Sequence, residues 1–295
     1  MKKFIDFIFN EILWCMPHEL AHKMLYRYRM GEKLNLKDPT NINEKIQWLI
    51  LNEYGEDEGN LTDKVLVKKI LAEKGFEKYI IKTINVYNDV NEINIENLPS
   101  RFVLKTNNGC GNIIVCRNKE LLDMRKTKNI LNKALNENFA KKNLEYHYSF
   151  IKPKILCEEL LDDKSGKNPL DYKFYCFNGY VHCVLVCTDR IDENNKNICY
   201  YDTKWKKLDY VKEKYKNDQE ISKPENFEEM LTLASKLSVG HKFVRVDLYN
   251  IRGKIYFGEL TFTPACGMIY NLNSKALDEL GAYIKLDKID GEKNG

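Results

Sequence analysis

The chain has 295 residues, 43% of them hydrophobic, and its 47 basic against 43 acidic side chains give a net charge of +4. That length divides into two domains or one large α/β unit with a packed core. Basic and acidic residues are interleaved throughout, which excludes the concentrated basic face of a nucleic-acid-binding protein and leaves a mild preference for anionic, phosphorylated ligands. The nine cysteines include no C-x-x-C pair, the usage expected of a reduced, cytosolic protein with buried thiols. No apolar run reaches the length of a membrane span.

Residues 1 to about 60 read as helical. The stretch Met1–Trp14 begins like a signal peptide, but Asp6, Asn10 and Glu11 interrupt the apolar run and no small-residue cleavage site follows. It reads as an amphipathic helix packed on the body, with membrane-surface contact as the alternative. His18-Glu-Leu-Ala-His22 matches H-E-x-x-H, in which two histidines one helical turn apart bind Zn2+ and the glutamate activates water. Pro17 places His18 in the first turn of its helix, and no sheet precedes the motif. The competing reading is two histidines and a glutamate on a solvated helix face. A helix ends at Gly31, and Ile46, Trp48, Leu49 and Leu51 carry the packing of the next segment.

The stretch Thr62–Gly75 reads as a helix capped by Thr62, with Leu66, Val67, Ile70 and Leu71 as its apolar stripe and Gly75 as its stop. A strand is expected near 80–86. Arg101–Cys116 reads as strand, loop, strand. The loop Asn107-Asn108-Gly109-Cys110-Gly111-Asn112 is rich in residues that tolerate positive φ and offer free backbone N–H groups. It can fold over phosphates, with Lys105 at the strand end just before it. G-x-x-x-x-G-K-[ST] is absent and a strand follows, so this is not a P-loop; a plain hairpin turn is the competing reading. Glu120 to about Ala140 is a lysine-rich helix. Lys154–Leu161 is a strand ending in Glu158-Glu159. Asp171–Cys187 is a hairpin turning at Asn178-Gly179, with Asp171, Lys173 and Tyr175 on one face. The aromatic segment Tyr200–Trp205 either stacks on a sugar ring or packs locally. Pro224–Gly240 is an amphipathic helix with Phe227, Met230, Leu231, Ala234 and Leu237 inward.

The most informative stretch is the hairpin Phe243–Tyr249 and Lys254–Thr261, with its turn centred near Ile251 and Arg252. Period-2 alternation puts Arg245 and Asp247 on one face and Val244, Val246 and Leu248 on the other; Phe257, Glu259 and Thr261 share a face of the second arm. Glu259 then lies opposite or diagonal to Arg245 and Asp247. Two carboxylates at that range repel unless a cation compensates: Arg245 offsets one, and Mg2+, which takes one or two carboxylates plus substrate phosphates, offsets both. A half-solvated hairpin with a structural ion pair is the alternative. Pro264-Ala-Cys-Gly267 is a loop beside the carboxylates.

The order of these pieces resembles the ATP-grasp fold. More closely, Asn43-Glu-Lys-Ile-Gln-Trp48, Phe102-Val-Leu-Lys-Thr-Asn-Asn-Gly109, Asp171-Tyr-Lys-Phe-Tyr-Cys-Phe-Asn-Gly179 and Val244-Arg-Val-Asp-Leu-Tyr-Asn250 with Lys254-Ile-Tyr-Phe-Gly-Glu-Leu-Thr-Phe262 look like the TupA-like ATP-grasp family. That family is linked to teichuronopeptide, capsule and other bacterial surface polysaccharide synthesis. The resemblance runs from about residue 30 to residue 285. It implies an α+β chain: a helical N-terminal region (1–60), then two α+β subdomains (61–153 and 154–290) clasping ATP.

By the same resemblance, Lys105 would contact the nucleotide phosphates and the loop Asn107, Asn108, Gly109, Gly111 and Asn112 would fold over them. Glu158, Glu159 and Leu160 would form the hinge that reads adenine, with a glutamate side chain on the ribose. Lys173 would be a further phosphate contact, Asp247 and Glu259 would hold Mg2+, and Arg245 would stabilise the transferring phosphoryl group. Many ATP-grasp enzymes carry Asn two residues after the metal Glu; Thr261 stands there here, which leaves one or two metals open. The implied activity is a cytoplasmic, ADP-forming carboxylate–amine ligase that works through an acyl phosphate. It would join an amino acid or amino compound to a uronic acid of a surface glycan or its precursor, in peripheral association with membrane-bound polysaccharide machinery. A sugar or glycan kinase and a non-catalytic glycan-assembly protein are the alternatives.

Overall fold

A computed structural model describes residues 2–162, 169–188, 197–216 and 220–287. The first four helices are α1 (Lys2–Trp14), α2 (His18–Met30), α3 (Ile42–Asn52) and α4 (Glu56–Thr62). α2 stops where Gly31 adopts a left-handed φ of 76° and its N–H returns to the Arg27 carbonyl. α3 starts at a capping box in which Asn41 accepts from the Glu44 N–H and the Glu44 carboxylate accepts from the Asn41 N–H. Thr62 ends α4 rather than capping the next helix, α5 (Leu66–Glu73). Asp63 does the capping, accepting from the N–H groups of Val65 (2.8 Å) and Leu66 (3.2 Å).

The H-E-x-x-H residues go to packing. Buried His22 hydrogen-bonds through Nδ1 to Gln47 Oε1 (2.5 Å), His18 stacks on Tyr146 with centroids 4.1 Å apart, and Glu19 pairs with Lys23 in solvent. The zinc reading fails on this divergence, and so does the solvated-face reading, because His22 is 1% exposed.

The middle of the chain forms β1 (Thr83–Tyr87), β2 (Phe102–Thr106), β3 (Ile113–Cys116), α6 (Met124–Leu135), α7 (Phe139–Asn143) and β4 (Ile155–Glu159). The four strands make an antiparallel sheet in the order β1-β4-β2-β3. β1 starts later than its sequence pattern indicates, since Ile80 instead bridges to Phe257 in the other sheet. The expected helix 120–140 is two helices. Asp123 and Asn138 each accept from the N–H three residues on and so start a separate helix. Phe102 and Leu104 alternate inward against Leu131 of α6, leaving Val103 and Lys105 on the other face.

The remainder forms β5 (Asp171–Phe177), β6 (Tyr180–Thr188), β7 (Asn197–Asp202), β8 (Lys207–Leu208), α8 (Phe227–Ser238), β9 (Val244–Ile251), β10 (Lys254–Thr261) and α9 (Ser274–Tyr283). Its strands make a six-stranded antiparallel sheet, β10-β9-β5-β6-β7-β8. One face packs Phe174, Val246 and Leu248 against α8 and against Val67 and Leu71 of α5. The other packs Tyr175, Phe177 and Tyr200 against Ile42, Ile46 and Leu280 of α3 and α9. Farther along that second face the cover ends and the charged residues begin. The chain is therefore an α+β fold with two sheets, each with its own helices.

Two details of the β9–β10 hairpin differ from the sequence pattern. The turn is Arg252-Gly253, both at positive φ (52° and 79°), one residue later than expected. A bulge at Gly258 then restores the alternation, so Glu259 pairs directly with Asp247, while Phe257 pairs with Leu248 and enters the core. Phe257 and Glu259 thus lie on opposite faces. Of the cysteines, Cys116, Cys157, Cys176, Cys183 and Cys199 are buried, as expected; Cys15 and Cys110 are exposed.

Candidate active site

The β2–β3 register pairs Val103 with Val115 and Lys105 with Ile113, which places these four side chains on one face. With Ile81, Leu160, Leu161 and Tyr249 they line a cavity of about 270 Å³, at whose edge stand Lys105, Glu158 and Glu159. Ile113 and Val115 are 46% and 40% exposed, so the slot is apolar and open, the shape that accepts a flat base. Glu158 is buried and pairs with Lys105 (2.5 Å) and with Lys68 of α5. Burial pushes the Glu158 carboxyl up, but the two lysines outweigh it and hold the group below the usual range. Burial in turn lowers Lys68, whose Nζ also donates to the Ile81 carbonyl (2.8 Å) and Thr83 Oγ1 (3.0 Å). Glu159, next along the strand, is exposed.

The loop after Lys105 divides into an anchor and a tip. Asn107 is fully buried; its amide donates to Asp63 Oδ1 (2.9 Å) and the Lys152 carbonyl (3.1 Å), and its Oδ1 accepts from the Lys154 N–H (2.7 Å). Every hydrogen-bonding role of that side chain goes to holding the loop base. Asn108 is also buried. Gly109 lies on the Phe139 ring, where a Cβ would come within 2.8 Å of Cδ2, and its carbonyl accepts from Lys64 Nζ (2.8 Å). Cys110 and Gly111 form the exposed tip, Gly111 at φ 85°, and Asn112 is half-buried.

On the six-stranded sheet one register row reads Glu259, Asp247, Lys173, Leu185, Tyr200. Arg245 grips Asp247 with two bonds of 2.7 Å, from Nε and Nη2. Lys173 bridges Asp247 and Asp171, the latter at 2.6 Å. Lys64 reaches Glu259 at 3.5 Å and Arg245 reaches it at 3.7 Å. Burial raises the Glu259 carboxyl; Lys64, Lys173, Arg245 and Lys105 together bring it far below the usual carboxylate range. Thr261 Oγ1 accepts from Arg245 Nη2 and donates to Glu259 Oε1, both at 3.2 Å. Asp247 and Glu259 are adjacent, directly paired carboxyl side chains, an oxygen donor pair that suits Mg2+ completed by substrate phosphates. Among the described residues no group of three His, Cys, Asp or Glu side chains converges as a metal cage.

A second cavity, of about 230 Å³, adjoins Lys173 and Arg245 on the β6–β7 side. The aromatic segment Tyr200–Trp205 does not face it for stacking: Tyr200 and Tyr201 are buried, and Trp205 stacks on Tyr201 with centroids 4.4 Å apart. Lys64, Lys68, Asp63 and Asp171 fall outside the set picked from sequence. Lys64 and Lys68 stand one helical turn apart beside the inward Val67 and Leu71, and that spacing was the available signal.

The fold resembles three solved ligases. D-alanine–D-alanine ligase from Bacillus anthracis, complexed with ATP, aligns at 14% identity over 78% of this chain and 67% of that one, TM-score 0.45. The Helicobacter pylori D-alanine–D-alanine ligase aligns at 17% over 83% and 67%, TM-score 0.44. The ATP-grasp ligase PsnB, complexed with a phosphomimetic precursor variant, Mg and ADP, aligns at 15% over 82% and 66%, TM-score 0.43. The chain thus spans about two thirds of the length of these structures. No curated protein matches it in sequence. A model of the TupA-like ATP-grasp family matches residues 44–285, which takes in both sheets and every site residue above, and the chain belongs to that family.

Proposed function

We propose that the chain is a Mg2+- and ATP-dependent carboxylate–amine ligase. The observation that carries this reading is a line of cations in two sets: Lys68 and Lys105 on Glu158 beside the apolar slot, and Lys64, Lys173 and Arg245 at the Asp247–Glu259 pair, with Lys105 also acting on the Glu259 carboxyl. Such a line matches a polyphosphate with its base in the slot. In this reading the backbone of Glu158, Glu159 and Leu160 reads adenine at the slot's edge and a glutamate side chain meets the ribose. Lys105 and Lys173 meet the phosphates, Asn107 and Asn108 anchor the loop base, and the Gly109–Asn112 stretch covers the phosphates. Asp247 and Glu259 hold Mg2+, which neutralises charge on the transferring phosphoryl group. Mg2+ held by Asp247 would compete with Arg245 and Lys173 for that carboxylate, and both cations would then face the anionic reactants.

The substrate carboxylate oxygen attacks the γ-phosphorus, the bond to the β–γ bridging oxygen breaks, and ADP leaves. The amine nitrogen then attacks the acyl carbon, inorganic phosphate leaves, and the nitrogen gives up its proton as the amide forms. No nucleophilic side chain is required. Closure of the Cys110–Gly111 tip keeps water from the acyl phosphate. The acid in this reading is a uronic acid of a bacterial surface polysaccharide or its precursor, and the enzyme acts in the cytoplasm beside membrane-bound polysaccharide machinery. Among the described residues no helix is long and apolar enough to cross a membrane.

Thermal unfolding with and without Mg·ATP tests the site. A ligand at about 100 times its Kd adds about 2.7 kcal/mol, which raises Tm by about 5–10 °C in a domain of this size. The rise is expected in the wild type and is lost in Lys105→Ala and Glu259→Gln. Products then separate the chemistries: ADP and phosphate with hydroxamate formation in hydroxylamine support the ligase, whereas AMP and pyrophosphate rule it out. ADP formation without hydroxamate identifies a kinase.

A further inference from the structure

We infer that the outward face of the α1–α2 helix pair docks a second copy of this chain, with the two α2 helices antiparallel about a two-fold axis near Met24. The inference is independent of the ligase reading, so failure of either leaves the other standing.

Both helices carry apolar side chains on two sides. Leu13 of α1 and Ala21, Leu25 and Tyr26 of α2 are buried with Leu34, Leu144 and Met268 of the body. On the outward side Ile8 and Ile12 of α1 are 42% and 54% exposed, and Leu20, Met24 and Tyr28 of α2 are 47%, 38% and 57% exposed. Each of these rows follows the i, i+4 spacing that lines side chains up on one helix face. Phe9 packs on Tyr28 with ring centroids 5.0 Å apart, so α1 runs antiparallel beside α2 and Ile12 stands nearly abreast of Met24. Five large apolar side chains on two adjoining helices make the kind of patch that marks an interaction surface.

Charge selects the partner. Glu19, Lys23 and Arg27 follow one another at i, i+4 and i+8 beside the apolar row, with the acid at the start of α2 and the bases towards its end. Lys23 pairs with Glu19 within the chain. Arg27 is exposed and donates from Nη1 to the Gly31 carbonyl (2.7 Å). Turning a second α2 end for end about Met24 sets Leu20 against Tyr28 of the second copy and Glu19 against its Arg27. A parallel pairing sets Glu19 against Glu19 and Arg27 against Arg27, and like charges so placed repel. The face is thus complementary to itself in the antiparallel sense, as an isologous two-fold contact requires. A lipid surface has no use for that order of charges. Each helix has 13 residues, so the pair spans about 20 Å by 20 Å. That is near the lower limit for a specific complex, which sets the expected Kd in the micromolar range.

The buried side of α2 connects this face to the cavity beside Arg245. Gln47 donates to the carbonyls of Cys266 (2.8 Å) and Gly267 (3.2 Å), and its Oε1 accepts from His22 Nδ1–H. The turn so held is strained: Ala265 and Cys266 are consecutive non-glycine residues in the left-handed region, at φ 51° and 60°. Pro264 and Ala265 of this turn line the cavity. Pairing of two copies therefore braces the helix that supports the turn.

The test is sedimentation velocity of the full chain. A reversible dimer with a Kd of about 10 µM is expected. Met24→Lys is expected to stay monomeric up to about 200 µM, with the Tm of the dilute wild type. Glu19→Arg and Arg27→Glu are each expected to weaken the dimer about tenfold, since each change acts twice across the axis. The double variant, in which acid and base are exchanged, is expected to recover the wild-type affinity. A wild-type chain that is monomeric at about 200 µM, a dimer that Met24→Lys leaves intact, or a double variant without recovery overturns the inference. A chain that does not self-associate but binds phosphatidylglycerol vesicles also overturns it and assigns the face to a lipid surface.

Discussion

Glu158 is shared by two lysines from different elements, Lys68 of α5 and Lys105 of β2. Removing the carboxylate leaves two ammonium groups facing each other with their positive charges uncompensated. Glu158→Gln is expected to cost about 1–3 kcal/mol, read as a lower midpoint in urea, and to lose Mg·ATP stabilisation because Lys105 is no longer oriented. Glu158 and Glu259 are both held below the ordinary carboxylate range. Their stabilisation is therefore present above that range and is lost as pH falls through their folded values. Buried Glu145 has the opposite sign. Burial raises its carboxyl from 4.5 to about 7, against the bond from Thr263 Oγ1 and weaker help from Cys266, Asn143 and Arg29. Stability from this group is full below pH 4.5 and declines until about pH 7, a span worth about 3 kcal/mol at 1.36 kcal/mol per unit. Glu145→Gln is expected to flatten Tm against pH over that window and to raise Tm at pH 8; an unchanged slope would remove Glu145 as its source.

Two short elements set the geometry of the site. The Gly258 bulge is what puts Glu259 beside Asp247, and a Cβ there would come within 2.9 Å of the Asp247 carbonyl oxygen and 3.2 Å of Tyr249 Cε2. Gly258→Ala is expected to cost about 1–3 kcal/mol and to cut the Mg2+-dependent part of the ATP-induced Tm rise more than the Mg2+-independent part. The left-handed turn Pro264–Gly267 depends on Gln47, and Gly267 has no room for a side chain, since a Cβ would lie 2.7 Å from Gln47 Nε2. Gln47→Ala removes that hold and leaves the turn free to relax. The expected result is a lower Tm with the Mg·ATP-induced rise unchanged; loss of that rise would mean that the turn also shapes the nucleotide site. His22, which burial lowers to about 4, stays neutral at physiological pH, so this support is pH-independent there.

At the scale of the molecule, Lys64 links the two sheets. It reaches Glu259 on the six-stranded sheet and the Gly109 carbonyl in the loop that leaves β2. The loop and Glu259 thus share one cation; in the proposed ligase, Mg2+ held at Glu259 would weaken that hold and ATP phosphates would offer Lys64 new partners. Lys64→Met keeps the aliphatic stem and deletes the charge. Hydrogen exchange in residues 107–112 is expected to speed up in this variant, and Mg·ATP is expected to restore less protection there than in the wild type. If exchange in the loop matches the wild type in both states, Lys64 does not couple loop and metal site.

Much of this was legible in sequence wherever neighbours along the chain decide the outcome. Alternation within Val244–Leu248 put Arg245 and Asp247 on one face, Asn178-Gly179 marked its hairpin, and Gly31 marked the end of α2. These are local rules, set by strand period and by the φ that each turn requires. The combined motifs were specific enough to point to the family that the 44–285 match establishes. What the chain pattern did not reveal depends on contacts between distant segments. The Gly258 bulge moved Phe257 to the core because the β9 partner sets the register, and the pairing of β4 between β1 and β2 brought Glu158 to Lys105 and Lys68. Lys64, just before α5, meets Glu259 only once that segment packs against the larger sheet, and the H-E-x-x-H pattern left His22 between a zinc and a solvated-face reading until its bond to Gln47 settled it as buried packing. Local periodicity determines which way a side chain points; only the packed structure determines what stands opposite, and the charges of the site derive their roles from what stands opposite.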